Sequence, residues 1–393
     1  MSSEGEKAMI YLDNNATTRP LPDVVAAMSE AMQLCWGNPS SKHALGQDAK
    51  RVLAAARADV AALLGAQPVE IVFTSGATES NHHVLHGALH RPAMPRRIIL
   101  SAIEHSGYMK SALRLRQEGV EVVLVPVDAA GRIDLDALRE SLQQDAALIS
   151  VMAANNETGV LQPIPEIAAM ARERGIPVHV DATQMVGKLP ISFAEWGVDL
   201  LSLSAHKFHG PKGVGALLIR KGLSWPTLMS GQQERARRGG TENLPGIVGM
   251  AAAARHARSC LADEALRETA LRESLEASLL DQVPGVTIYG QDAERLPNTV
   301  CLSIAGFSSD KILDRLERKG ICASSGAACS SGGSDPSHVL LAMGVPGSVA
   351  LGAIRLSLGL DTHATDIAAV VNVLQELCRP EAPLQNPAAV HAN

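Results

Sequence analysis

The sequence predicts an α/β protein, with a mostly parallel central sheet in a large domain followed by a smaller α+β domain. Three observations carry this prediction. Apolar runs of strand length alternate with longer helical patterns from about residue 60 to residue 220. Several of those runs are apolar throughout, as parallel strands covered by helices on both faces must be. Beyond an Ala-rich stretch near residue 250, short strands then interleave with helices in a different rhythm.

In chain order, the expected strands are EIVFTSG, RIILSAIEH, VEVVLVPV, ALISVMAANNETG, PVHVDATQ, DLLSLSAHK and VGALLIRKG. Most end in a small or polar cluster, and ligands of open α/β sheets bind outside the carboxyl ends of the strands. The segment LPGIVGMAAAARHARSCLADEALRETALR reads as one long helix or two joined ones and as a hinge into the second domain. After it come the strands GVTIYG, NTVCLSI, GICAS and AIRLSL, with helices over SSDKILDRLERKG and through VVNVLQELC. The expected boundaries are 20–255 for the large domain, 1–19 with 256–380 for the small one, and 381–393 for a loose tail.

Composition excludes several classes of protein. With 46% hydrophobic and 19% charged residues the chain has enough apolar surface to fold, unlike a disordered segment. A net charge of −6 lacks the footprint of a nucleic-acid binder. No run approaches the ~18–20 apolar residues that span a bilayer, and the opening MSSEGEKAMIYLD is acidic where a signal peptide is basic, so a cytoplasmic location is expected. The six cysteines form no CxxC pair, which points away from a zinc site or a disulfide framework.

The clusters at the strand ends suggest chemistry. TSGATESN at 74–81 follows a strand and opens a helix, an arrangement that offers free backbone N–H groups to a phosphate. An ordinary helix start, capped by Ser or Thr with Glu79 in the first turn, fits the same residues equally well. Asp181 and Lys207 end two runs separated by enough chain for one crossover helix, so adjacent parallel strands can deliver both to one edge of the sheet. Taken singly they read as a turn residue and a surface lysine. Together they match the needs of pyridoxal phosphate: a lysine for the Schiff base, and an acid to keep the pyridine nitrogen protonated. His105, Asn156 and Gln184 end further runs, where they could stack on a ring, shuttle a proton or hydrogen-bond, or simply cap loops.

At this point ten motifs in register carry a resemblance over nearly the whole chain. YLDNNATT, GNPSSKHALG, FTSGATESN, VMAANNETGV, HVDATQMVGKLPI, SLSAHKFHGPKGVGAL, RRGGTENLPGIVG, SSGAACSSG, DPSHVLLAMG and IRLSLG resemble the cysteine desulfurases of the NifS/IscS type. The resemblance implies an aspartate-aminotransferase-like fold (pyridoxal-phosphate fold type I). It also implies an enzyme that takes sulfur from L-cysteine, leaves L-alanine and passes a persulfide to an acceptor for iron–sulfur cluster assembly. By motif, Lys207 is the cofactor-linking lysine, Asp181 the partner of the ring nitrogen, Gln184 the partner of the ring hydroxyl, and His105 stacks over the ring. Ala77, Thr78, Ser204 and His206 hold the phosphate, joined by Thr241 from the neighbouring subunit of a homodimer. Asn156 and Arg355 meet the substrate carboxylate, for which a guanidinium fork suits. Cys329 is the sulfur-accepting nucleophile and a candidate ligand to an iron–sulfur cluster; no metal is expected at the active site.

Three departures from the family pattern stand out: Ala205 where Gly is common, Ala327 where Ser is usual, and SGQQERARRGGT in place of a more glycine-rich segment. Ala205 requires that the backbone beside the phosphate site accept a Cβ. Other readings are a selenocysteine lyase or aminotransferase of the same fold, or a non-catalytic cluster-assembly scaffold. An aminotransferase has no use for the thiol in ACSSGG, and a scaffold needs none of Lys207, Asp181 and Cys329. The small residues around Cys329 predict a mobile loop, whereas Cys322 in GICAS reads as a small hydrophobe buried in a strand.

Overall fold

The computed structural model describes residues 9–326 and 335–379. Cys329, Ala327 and the C-terminal tail 381–393 lie outside the described residues. Among the described residues there are thirteen strands: β1 (Ile10–Tyr11), β2 (Ile71–Thr74), β3 (Arg97–Ser101), β4 (Glu121–Val125), β5 (Leu148–Met152), β6 (Val178–Asp181), β7 (Leu200–Ser204), β8 (Gly215–Ile219), β9 (Val286–Tyr289), β10 (Thr299–Ile304), β11 (Ile321–Cys322), β12 (Ser324–Ser325) and β13 (Ile354–Ser357). All seven expected strands of the large sheet occur, in the order β2-β8-β7-β6-β5-β3-β4. Every pairing is parallel except the two made by β8, which runs antiparallel to β2 and β7. A short connection returns β8 beside β7, too short for the crossover that a parallel neighbour needs. The inner strands are buried along their whole length, while β4 at one edge alternates between buried and exposed residues. That contrast is why the inner runs read as uniformly apolar.

The later strands β9, β10, β13 and β12 form an antiparallel four-stranded sheet, and β1 pairs in parallel with β11. The Ala-rich stretch read as one long helix or two joined ones is a single unbroken helix, Leu244–Gln282, of 39 residues. Its first turns place Ile247, Met250 and Ala254 in the core around the large sheet. Its last turns place Leu275 and Leu279 in a separate core with Leu12, Val300, Leu356 and Val371. A continuous helix passes between the two cores because its apolar face changes along its length, not because the chain bends. Among the described residues no helix is long and apolar enough to cross a membrane.

Cys322 does lie on a strand, β11, but it is half-buried; the fully buried thiol is Cys301 on β10. Burial pushes the Cys301 thiol far above its ordinary range and leaves it an inert packing group.

The segment that departs from the glycine-rich pattern has an uncommon backbone. Glu234, Arg235 and Ala236 are consecutive left-handed residues, with φ of 48°, 58° and 60°. The Glu234 carboxylate anchors this turn: it takes both Arg57 nitrogens at 2.6 Å and the Phe73 N–H at 2.9 Å, all buried. Ala236 itself is exposed, so its methyl adds strain without packing in return. Ala236→Gly is therefore expected to stabilise the protein by up to ~1 kcal/mol, since relief of strain outweighs the entropy that glycine adds to the unfolded chain. The check is the denaturant midpoint, and a lower midpoint would show that the methyl is needed.

Candidate active site

The carboxyl ends of β2, β3, β5, β6 and β7 point to one edge of the large sheet, and the residues that follow them line a cavity of about 230 Å³. Ten sequence-predicted residues meet there: Ala77, Thr78, His105, Asn156, Asp181, Gln184, Ser204, His206 and Lys207 line the cavity, and Arg355 is bonded to its wall. Thr241 is exposed and does not line it in this protomer.

Asp181 ends β6, in parallel register with Ser202 of β7 and Met152 of β5, so the sheet itself carries its carboxylate to the edge. One oxygen accepts from Asn81 Nδ2 at 2.8 Å and the other from the Thr183 N–H at 3.0 Å, which fixes the carboxylate plane. Behind Asp181 lies a polar layer inside the sheet. His179 is sandwiched between Ser150 of β5 at 2.7 Å and Ser202 of β7 at 2.8 Å, with Tyr108 edge-on to its ring. Burial lowers His179 to about 4, so the ring is neutral and can both donate and accept. Glu104 is buried nearby, accepting from the Met152 N–H at 2.7 Å; burial and the Asp181 charge hold it well above the usual carboxylate range.

Lys207 closes the short 3₁₀ turn after β7. Its ammonium donates to the carbonyls of Asn15 at 2.6 Å and Ala16 at 2.9 Å. Gln184 Nε2 donates to the same Asn15 carbonyl at 3.0 Å. The NNATT segment thus folds over the sheet edge and joins the site, a contact for which strand periodicity has no signal. Asn15 also reaches Thr299 and the Asn156 carbonyl, binding the segment to β10.

The helix Ala77–His90 begins at this edge. Its cap is Gly76, at φ 152° and without a side chain, so the Ser or Thr cap that TSGATESN allows is not made. Glu79 does reach back, taking the Ser75 N–H at 2.8 Å, and pairs bidentately with Arg238. Gly76 and Gly215 permit a close approach here. A Cβ on Gly76 would meet Ser204 Oγ at 3.2 Å, and one on Gly215 would meet the Leu203 carbonyl at 2.4 Å and Gly76 Cα at 2.7 Å. Either methyl would intrude on the cradle formed by the helix start and the β7 end, where Ala77 N–H donates to Ser204 Oγ at 2.8 Å. His206 stands beside it, lowered to about 4 by burial first and then by Lys207, Lys212 and Lys188, and so neutral near pH 7.

Ala205 fits without strain: it is fully buried and is not among the residues with positive φ. Its methyl occupies space that Gly210 leaves open, since a Cβ on Gly210 would lie 2.8 Å from it. Arg355 on β13 is buried, donating to Asp13 at 2.8 Å and to the Asn156 carbonyl at 3.0 Å, while its Nε has no partner. His105 caps the helix Ser106–Arg114 through Gly107 N–H. Among the described residues no group of three or more His, Cys, Asp or Glu could hold a metal ion.

The residues suit pyridoxal phosphate. Glycine-backed helix amides with a hydroxyl and a neutral imidazole can hold a phosphate, and an amine and a fixed carboxylate face the same space. Two side chains lining the cavity, Asn81 and Thr183, each keep a buried oxygen without a hydrogen-bond partner, as expected where a polar molecule completes the site. Fold and site together define the pyridoxal-phosphate enzymes of fold type I. Residues 10–370 match the aminotransferase class-V family. The chain is 43% identical over 386 residues to a cysteine desulfurase of Nostoc sp., covering 97% of this chain and 96% of that one. It is 47% identical over 371 residues to a cysteine desulfurase of Rhodobacter capsulatus, covering 94% and 96%. A solved NifS-like protein superposes with a TM-score of 0.87 at 37% identity, over 94% of this chain and 99% of that one. The chain belongs to the class-V aminotransferase family, and within it to the pyridoxal-phosphate-dependent cysteine desulfurases.

Proposed function

We propose that Lys207 carries the cofactor, that Asp181 faces its ring nitrogen, and that Cys329 takes the sulfur of L-cysteine, leaving L-alanine and a Cys329 persulfide. The substrate C–S bond breaks as the S–S bond forms, the electron pair stays with the substrate carbon and that carbon takes a proton, so the sulfur is oxidised to the persulfide level as the carbon is reduced to the methyl of alanine. The observation that carries this reading is the delivery of Lys207 and Asp181 to one cavity by adjacent parallel strands. When bound, the cofactor supplies an electron sink for the substrate carbon. Asp181, held by Asn81 and Thr183, presents its carboxylate to the ring nitrogen. The Ala77 and Thr78 amides, Ser204 and His206 receive the phosphate, Gln184 faces the ring hydroxyl and His105 the ring. Arg355 and Asn156 orient the substrate carboxylate, the unpartnered Arg355 Nε providing a donor for it. Borohydride reduction followed by peptide mapping tests the assignment, and a label at Lys212 instead of Lys207 would overturn it.

Thr241 is proposed to complete the phosphate site of a second copy in a homodimer. Its exposure, and the Arg238–Glu79 pair that holds its segment outside the cavity, support this. Mixing inactive Lys207→Ala with inactive Thr241→Ala subunits is expected to restore part of the activity, because one of the two hybrid sites then carries neither defect. No recovery in proven hybrids would exclude sharing.

The two cores support a division into a large domain, 20–255, and a small one, 1–19 with 256–380. A cytoplasmic location and a persulfide-accepting scaffold of iron–sulfur cluster assembly complete the proposal; Cys329 as a cluster ligand belongs with it.

A further inference from the structure

Behind the cavity wall, Lys188 is buried to 8% exposure in the turn that follows β6. Its ammonium does not reach solvent. It curls back onto Gln184, donating to the backbone carbonyl at 3.0 Å and to the side-chain Oε1 at 3.2 Å. The Lys188 amine donates in both contacts, so the Gln184 carboxamide turns its oxygen to Lys188 and its NH₂ the other way. That NH₂ meets the Asn15 carbonyl at 3.0 Å, the same oxygen that accepts from Lys207 at 2.6 Å. Lys188 and Asn15 thus hold the carboxamide from its two ends: reversal would set two oxygens together at Asn15 and lose the contact that Lys188 makes to Oε1.

We propose that Lys188 is a positioning residue that locks the Gln184 carboxamide with its N–H donors toward the cofactor cavity, beside Lys207. The inference rests on the reading of that cavity as the pyridoxal-phosphate site and extends it by one residue. The setting supports a positional role. Lys188 and Lys207 share the wall of a narrow second cavity of about 30 Å³, with His209, Cys260, Glu264 and Glu268 on its other sides. Glu268, from the long helix, is itself buried and supplies the opposing charge. Burial pulls Lys188 down and pushes Glu268 up. Keeping an amine in such a place is costly, and packing alone would be served by an apolar side chain of the same length.

The test is a double-mutant cycle on the protein reconstituted with pyridoxal phosphate, reading the cofactor dissociation constant and the visible absorption band of the bound form. Gln184→Ala and Lys188→Met are each expected to weaken binding about tenfold and to shift the band in the same direction. The double variant is expected to lie within about twofold of Gln184→Ala, because Lys188 acts only through that side chain. Losses that multiply in the double variant, or a Lys188→Met protein with the parent's binding and spectrum, would overturn the proposal while leaving the cavity assignment intact. If Lys188→Met will not fold, although methionine matches the lysine stem in length, the residue is structural and the proposal fails. A parent protein that binds no pyridoxal phosphate, or a Gln184→Ala variant with unchanged binding and spectrum, would instead refute the underlying reading.

Discussion

Lys207→Ala is expected to abolish the covalent link to pyridoxal phosphate and to lower alanine formation on the order of 10⁴-fold, since among the described residues no other lysine lines the cavity. Residual non-covalent binding should survive, because the phosphate cradle at Gly76, Ala77 and Ser204 is built from the backbone and a hydroxyl that the substitution leaves alone. The variant loses a side chain that donates to Asn15 and Ala16, so the NNATT segment gives up one tether. It keeps others: Asn15 still holds Thr299, and Thr18 still meets the His206 carbonyl. The fold should therefore persist. Visible spectra before and after borohydride treatment give the readout. Retention of a reducible chromophore at parent levels would show that another lysine carries the cofactor.

Cys329→Ala is expected to remove alanine and persulfide formation, by at least about 10²–10⁴-fold, while cofactor and L-cysteine binding remain. Cys322→Ala serves as the contrast and should keep most of its activity: Cys322 sits on β11, paired with Tyr11 of β1, where burial raises its thiol above the ordinary range. Three other described thiols are equally poor candidates. Cys301 is buried in β10, and burial likewise raises Cys260 and Cys378. A nucleophile must reach the thiolate form, and burial works against that in each of them. Measuring alanine and sulfide after L-cysteine addition decides the matter. Undiminished sulfide release from Cys329→Ala under reducing conditions would show that sulfur leaves by another route.

Much of this protein is legible in its sequence because parallel strands buried on both faces leave an unmistakable mark. Six of the seven large-sheet strands are buried end to end, and their polar endings mark the edge where the site lies. Asp181 and Lys207 could be paired in advance because one crossover's length of chain separates them and the hand and spacing of such units are restricted. The antiparallel course of β8 was less evident, since an apolar run does not state its direction.

What only the tertiary structure decided are contacts between residues far apart in the chain. Asn15 beneath Lys207, Asn81 on Asp181, Ser150 and Ser202 around His179, Arg57 locked to Glu234, and Lys188 behind Gln184's carboxamide all depend on how elements pack. The same holds for the uninterrupted helix Leu244–Gln282, where an Ala-rich composition is compatible with either a break or continuity. The physical reason is one of range. Periodicity and turn chemistry are local and are written in consecutive residues, so the sequence alone determined the strands, their polar ends and the residue types of the site. A buried polar group must find its partner wherever the fold brings one, so the second layer of the site, which orients those residues, is settled only when the sheet, the N-terminal segment and the long helix come together.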